Sequence, residues 1–263
     1  MKRIRVVGTG IKGIKHLTLD AIDNFFASKK TLLFFPQKEL VAYFKEHNLH
    51  SEDITNLYVN GNQDMSNYTV IVTRIFDEVA VYDDIAFCLP GHPRFGVTLI
   101  KLLKERAHSV DTELTISLGL SSFDTMLDDT ELDPLEHGTS IVDANLLILL
   151  DYNIEPSLNY FLYHICSVGT TRTFIKDPTQ QNAIHYLKAK LLKHYPKEHI
   201  VRMVSSAEYG RDQAIIKEVT MENLETLLPD ITFSSTLFIP YIKPEAKRLN
   251  RDFLAYLQAS IMA

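Results

Sequence analysis

The stretch VVGTGIKG, residues 6–13, does more than any other to limit what this 263-residue chain can become. An apolar run halted by Gly8 and Gly10, then Leu17, Leu19, Ile22, Phe25 and Phe26 near helical spacing, reads as strand, tight turn, helix. The pattern recurs. TLLFF (31–35) predicts a buried strand stopped by Pro36, and residues 38–47 are amphipathic and helical. Residues 60–67 (NGNQDMSN) predict a polar loop, 68–81 a helix, 85–89 a strand, 97–107 a helix, 113–118 a strand and 122–127 a helix. Strands alternating with helices indicate an α/β unit with a mostly parallel sheet. That unit occupies residues 1–115, and a second α/β domain occupies 116–263. The second domain has shorter strand candidates at 140–142, 146–150, 200–204 and 236–239, a helix at 182–194, and room for hairpins. The chain shows no internal repeat.

Gly8, Gly10 and Gly13 also spell G-x-G-x-x-G, which in a dinucleotide-binding unit requires an acid at the end of the second strand. Here that strand is followed by Pro36 and Gln37, and Glu39 already opens the next helix. The nicotinamide reading therefore fails. Composition excludes further classes. A net charge of −6 argues against a nucleic-acid partner. Cys88 and Cys166 lie far apart in apolar runs with no CxxC, and the ten histidines do not cluster, so no metal site is expected. No secretory h-region and no apolar run of the ~20 residues a membrane span needs is visible, so a cytoplasmic location and no membrane partner are expected.

Three more segments narrow the reading: FCLPGHPRFG (87–96) after a predicted strand, SLGLSSFDTMLDDTELDPL (117–135) across strand, turn and helix, and FSSTLFIP (233–240). In this order, with VVGTGI and HLTL at the start, they resemble the tetrapyrrole methylase superfamily, the class III S-adenosylmethionine-dependent methyltransferases. Within it the chain is similar to the borosin methyltransferases, which methylate backbone amides of a peptide. The resemblance rests on residues 6–21, the GHP turn, Gly119-Leu120-Ser121-Ser122-Phe123, Tyr163 to Gly169, and Ser235 to Pro240. It implies a tetrapyrrole methylase-like α/β fold, with two domains and the cofactor cleft between them.

That resemblance implies S-adenosylmethionine as cofactor and S-adenosylhomocysteine as product. It places Pro90, Gly91, His92, Phe95, Ser121, Ser122, His164, Ile165, Ser235 and Thr236 around the cofactor. Ser121 and Ser122 equally suit helix capping, and His92 and His164 equally suit structural roles. A backbone amide is barely nucleophilic, so its methylation needs proton removal and stabilisation of the imidate oxygen. The resemblance assigns this to Tyr58 and Tyr68 with an arginine whose place is held here by Asp64; Arg74 or Arg94 are the available substitutes. Fungal borosins carry their substrate as a C-terminal tail. With Ala263 soon after the last shared motif, the expectation is a small peptide substrate supplied in trans, to a homodimeric enzyme. The alternatives are a tetrapyrrole or other small-molecule methyltransferase, and a cofactor-binding protein that has lost its chemistry.

Overall fold

A computed structural model describes residues 2–208, 211, 213–245 and 249–261. The first half builds one five-stranded sheet from β1 (Arg3–Gly8), β2 (Lys30–Leu33), β3 (Ser51–Asp53), β4 (Asp84–Leu89) and β5 (Glu113–Ser117). The order is β3-β2-β4-β1-β5 and every pairing is parallel. Because strand side chains alternate between faces, Val6, Leu32 and Phe87 enter one core and Val7, Leu33 and Cys88 the other. Helices α1 (Leu19–Ala27) and α2 (Lys38–Glu46) cover the second of these faces, with Phe25 and Phe44 packed 4.9 Å apart by ring centroid. Helices α3 (Asp64–Tyr82) and α4 (Thr98–Ser109) cover the first through Ile71, Ile75, Val79, Leu99 and Leu103.

The second half forms a mixed sheet. Its strands are β6 (Thr139–Asp143), β7 (Asn159–Tyr163), β8 (Ile200–Ser205), β9 (Ile215–Thr220) and β10 (Thr236–Ile239), in the order β6-β7-β10-β8-β9. Only β6 and β7 run parallel, and β8–β9 is an antiparallel pair. Helix α5 (Ser122–Asp129) sets Met126 against Phe161, Val204 and Phe238 on one face. Helices α6 (Ala144–Leu149) and α7 (Ile184–Leu191), with the 3-10 segment Met221–Asp230, close the larger core on the other. A last helix, α8 (Arg251–Ile261), carries exposed Phe253, Leu254, Tyr256 and Leu257. Among the described residues no helix is long and apolar enough to cross a membrane.

Four of the elements read from the sequence need correction. Residues 146–150 are not a strand but fall in α6 and its C-cap, because Asp143 accepts a hydrogen bond from Leu146 N and so caps a helix. The loop expected over 60–67 ends early, since α3 already starts at Asp64. The strand expected over 31–35 stops at Leu33, and Phe35 turns to φ +50° with its N–H on Thr55 Oγ1. The helix expected over 182–194 is confined to α7.

Candidate active-site cleft

The parallel strands β1, β4 and β5 are neighbours, and their carboxyl ends meet. A β-carbon added at Gly8 would lie 2.6 Å from Gly91 O, 2.6 Å from Pro93 Cδ and 2.9 Å from Gly119 N. One added at Gly119 would lie 2.8 Å from Gly8 C and overlap Gly91 O outright. Gly10 and Gly91, both at positive φ, form a two-residue bridge in which Gly91 N donates to Gly10 O at 2.9 Å. Three strand ends thus touch backbone to backbone, with the Pro93 ring packed against Gly8. Ligands of parallel sheets gather at such ends. The turn after β1 is closed from within: Ile11 N and Lys12 N donate to His16 Nδ1 at 3.3 and 3.2 Å. Burial, and then Lys12, hold His16 below the usual imidazole range, which keeps it an acceptor. Those N–H groups are not offered to a pyrophosphate.

The loop after β4 carries Pro90, Gly91, His92 and Phe95. His92 Nδ1 accepts from Arg94 N at 3.0 Å and its carbonyl from Phe95 N, so it closes its own turn. The Phe95 ring meets Tyr163 edge-on at 5.0 Å, and a β-carbon at Gly96 would sit 3.6 Å from the His164 ring. The end of β7 is therefore seated on this loop. His164 holds a left-handed backbone (φ 60°), and its Nδ1 lies 2.5 Å from Asp143 Oδ2. Ile165 follows, buried in the core. Ser121 caps α5 in a capping box with Asp124, so its hydroxyl is engaged, whereas Ser122 donates to Tyr163 Oη at a long 3.4 Å. Burial pushes the Tyr163 phenol up to about 12.

Ser235 precedes β10 and Thr236 begins it, and both are buried. Ser235 Oγ accepts from Thr232 N at 2.9 Å and lies 3.0 Å from Ser205 Oγ. Thr125 of α5 donates to Ser206 at 2.8 Å, so hydroxyls join β10, β8 and α5. Ser205, Ser206 and Thr125 were missed in the sequence; the polar pair after the apolar VRMV was the available signal. A cavity of about 330 Å³ opens beside Ser205, Thr232 and Phe233.

Tyr58 and Tyr68 come together, with ring centroids 6.1 Å apart. Tyr58 Oη donates to Asp64 Oδ1 at 2.6 Å, and Asp64 also accepts from Thr173 N and Thr173 Oγ1, both at 3.1 Å. The surrounding loop is pinned to the second half: Gly61 N donates to Thr173 O, Asp64 N to Thr171 O and Lys176 N to Asn60 Oδ1. Phe34 and Phe35 flank Tyr58, and Phe35 lies 6.4 Å from Phe233. Burial, then the Asp64 hydrogen bond, raise the Tyr58 phenol far above its ordinary range; burial, then the Asp64 charge, raise Tyr68. Arg74 is no substitute for the missing cation, because it is bound to Glu52 and Glu78 at 2.7 and 2.6 Å. Arg94 lies exposed on its loop.

Among solved structures, the chain is similar to uroporphyrin-III-C-methyltransferase from Thermus thermophilus, with a TM-score of 0.63 at 15% identity over 90% of this chain and 91% of that one. It is likewise similar to a diphthine synthase, with a TM-score of 0.59 at 14% identity over 93% and 92%. The fold is that of the tetrapyrrole methylases. No family model matches the sequence. At the sequence level the chain is similar to curated methyltransferase/peptide precursors. The methyltransferase/gymnopeptides precursor gymMA1 of Gymnopus fusipes is 23% identical over 258 residues, 97% of this chain and 60% of the relative. The type I borosin precursor cmaMA of Coprinopsis marcescibilis is 22% identical over 259 residues, 97% and 66%. The omphalotin A precursor ophMA of Omphalotus olearius is 24% identical over 260 residues, 97% and 61%. The chain thus spans about three fifths to two thirds of these relatives' length, and its resemblance to borosin methyltransferases runs through nearly all its own residues. Among the described residues no group of three or more His, Cys, Asp or Glu is placed to hold a metal.

Proposed function

We propose that the chain is an S-adenosylmethionine-dependent methyltransferase that methylates backbone amides of a peptide. The observation that carries this is the backbone contact of Gly8, Gly91 and Gly119 at one cleft, in a chain whose relatives gymMA1 and ophMA are named as methyltransferases joined to a ribosomally synthesized peptide precursor. The residues present fit such a donor. Gly91 faces open space apart from Ile11, so the backbone of the Pro90–His92 turn is free to approach a nucleoside. Phe95, His164 and Ile165 would border the ring system, Ser122 the amino-acid end, and Ser235 and Thr236 would hold the floor. Ser121 supports the site through its cap. Residues 1–115 and 116–263 are the two domains of this reading, with the cleft between them, except that β5 carries the first sheet on to Ser117.

The bound sulfonium supplies the methyl group, and the protein's share is positioning and exclusion of water. Tyr58 and Tyr68, among Phe34, Phe35 and Phe233, form the apolar wall on which an amide would lie, with their hydroxyls as its polar contacts. The peptide is expected as a separate molecule and the enzyme as a homodimer, with the exposed apolar residues of α8 as the face a second copy would cover. The test is titration calorimetry with S-adenosylmethionine and S-adenosylhomocysteine, then tandem mass spectrometry of co-expressed peptides. Heat of binding and +14 Da on a backbone amide are expected; absence of either refutes the assignment. Methyl groups on the chain's own residues would overturn supply in trans, and light scattering decides the dimer.

A further inference from the structure

We propose that Asp64 is the final proton acceptor of this site, drawing the amide proton of the peptide through the hydroxyl of Tyr58. This rests on the amide-methylation reading. Tyr58 Oη and Asp64 Oδ1 are 2.6 Å apart, and Thr173 fixes the carboxylate through its N–H on Oδ1 and its hydroxyl on Oδ2. Tyr58 cannot wait as a phenolate, because burial and the neighbouring carboxylate both oppose that charge. Its oxygen takes a proton only as it gives one up, and Asp64 stands where that proton goes.

The step balances. The amide N–H bond breaks as a new O–H forms at Tyr58; the original Tyr58 O–H breaks as Asp64 Oδ1–H forms. The freed nitrogen pair makes the N–CH3 bond, and the C–S bond breaks with its electrons going to sulfur. Asp64 goes from anion to neutral acid while the sulfonium goes from cation to thioether, so two opposite charges vanish together in a half-buried cleft. An arginine at position 64 would instead hold an anionic imidate oxygen. The proton must leave in either case; the change of sign moves the balance from a cation that holds the resulting imidate to a carboxylate that takes the proton as the N–C bond forms. Burial and the Asp64 charge keep Tyr68 protonated against the opposing pull of Tyr58, and its hydroxyl is the one assigned to donate to the amide oxygen. Tyr58 is the relay, and Asp64, which acts through it, is a positioning residue.

The titratable or charged groups around Asp64 are Tyr58 and Tyr68 on its own segment, Cys166 on the turn after β7, and Arg172 on the strand-like segment paired with Gln63. The experiment co-expresses the full chain with a pool of random 12-residue peptides, then follows the best-methylated peptide with wild type, Asp64→Asn, Asp64→Glu, Tyr58→Phe and the Asp64→Asn/Tyr58→Phe double variant. Asp64→Asn is expected to lower kcat ~100-fold or more with KM little changed, and to erase the acid limb of the kcat–pH profile. Asp64→Glu should recover at least about a tenth of wild-type kcat, and the double variant should be no slower than either single one, as for residues acting as a unit. Unchanged thermal midpoints show that the variants fold. If wild type methylates a peptide and Asp64→Asn keeps its rate and pH limb, the relay is wrong and the amide reading stands. If wild type binds the donor yet methylates no peptide, both fall.

Discussion

At the residue scale the glycines at the strand ends separate two reasons for being glycine. Gly119 is required for space, because a β-carbon there runs into the backbone of Gly8 and Gly91. Gly91 is required for conformation, with φ 72° but only Ile11 Cδ1 nearby, at 3.7 Å. Gly91→Ala should therefore fold with a loss of about 1–2 kcal/mol, the left-handed penalty. Gly119→Ala should lose about 3 kcal/mol, the upper range of overpacking, since all three neighbours are backbone. Urea unfolding compares them, and equal losses would mean that Gly119 is not a contact point. These glycines were legible because a β-turn glycine announces itself locally. The partners of Asp64 were not, because Thr173 lies 109 residues away and no local pattern links them. Asp143 supplies a pH test. Burial pushes its carboxyl up, but hydrogen bonds from His164 and from Leu146 N outweigh this, with the His164 charge and Asn145 N adding to them, so its net position is below the ordinary 3.8. A depressed folded value stabilises above the unfolded one and is lost as pH falls through the folded one. The stability gap between wild type and Asp143→Asn should thus hold near neutrality and shrink below about pH 4. A gap that widens with acid would contradict the pairing.

At the element scale, the strand–helix alternation of the first half was legible because each strand is a short apolar run between turn residues. The second half was less so. Residues 146–150 (LLILL) are apolar throughout and carry no usable period; the deciding signal is Asp143, which caps a helix, with Ala144 and Leu147 inward and Leu149 outward. Strand β3 was missed because Ser51, Glu52 and Asp53 are polar. Their place is set by charge: buried Lys30 on β2 meets Glu52 on β3 at 2.8 Å and Glu78 on α3 at 2.9 Å, and Arg74 bridges both carboxylates. Burial lowers the Lys30 ammonium, but its two carboxylate partners outweigh that and raise it overall. Lys30→Met should strand two carboxylates on one arginine. Breaking a buried pair costs about 3–5 kcal/mol, and the remaining Arg74 together with the partial exposure of Glu52 brings the expected loss to about 2–3 kcal/mol. Urea midpoints measure it; a loss below about 1 kcal/mol would show that β3 is held by its backbone pairing alone.

At the scale of the whole molecule, each sheet owns its core, and what crosses between the halves is thin. Residues 60–64 pin to 171–176, Phe35 meets Phe233, Phe95 meets Tyr163, and Gly96 meets His164. These crossings ring the cleft proposed for the methyl donor. A ligand seated there contacts both halves, so its binding energy should appear in both. Saturation at 100 times Kd adds about 2.7 kcal/mol to any unfolding that destroys the site. For amides that exchange only through such unfolding, that is a slowing of about 100-fold. Hydrogen exchange with and without S-adenosylhomocysteine should therefore slow by comparable factors in β1 and β4 of the first sheet and in β7 and β10 of the second. Gly61→Ala, which forces a β-carbon toward Phe174 at φ 74°, should weaken one crossing and reduce the protection passed to the second sheet while leaving that of the first. Slowing confined to one sheet in the unaltered protein would place the ligand within a single half, and a cleft built from both would no longer describe the molecule.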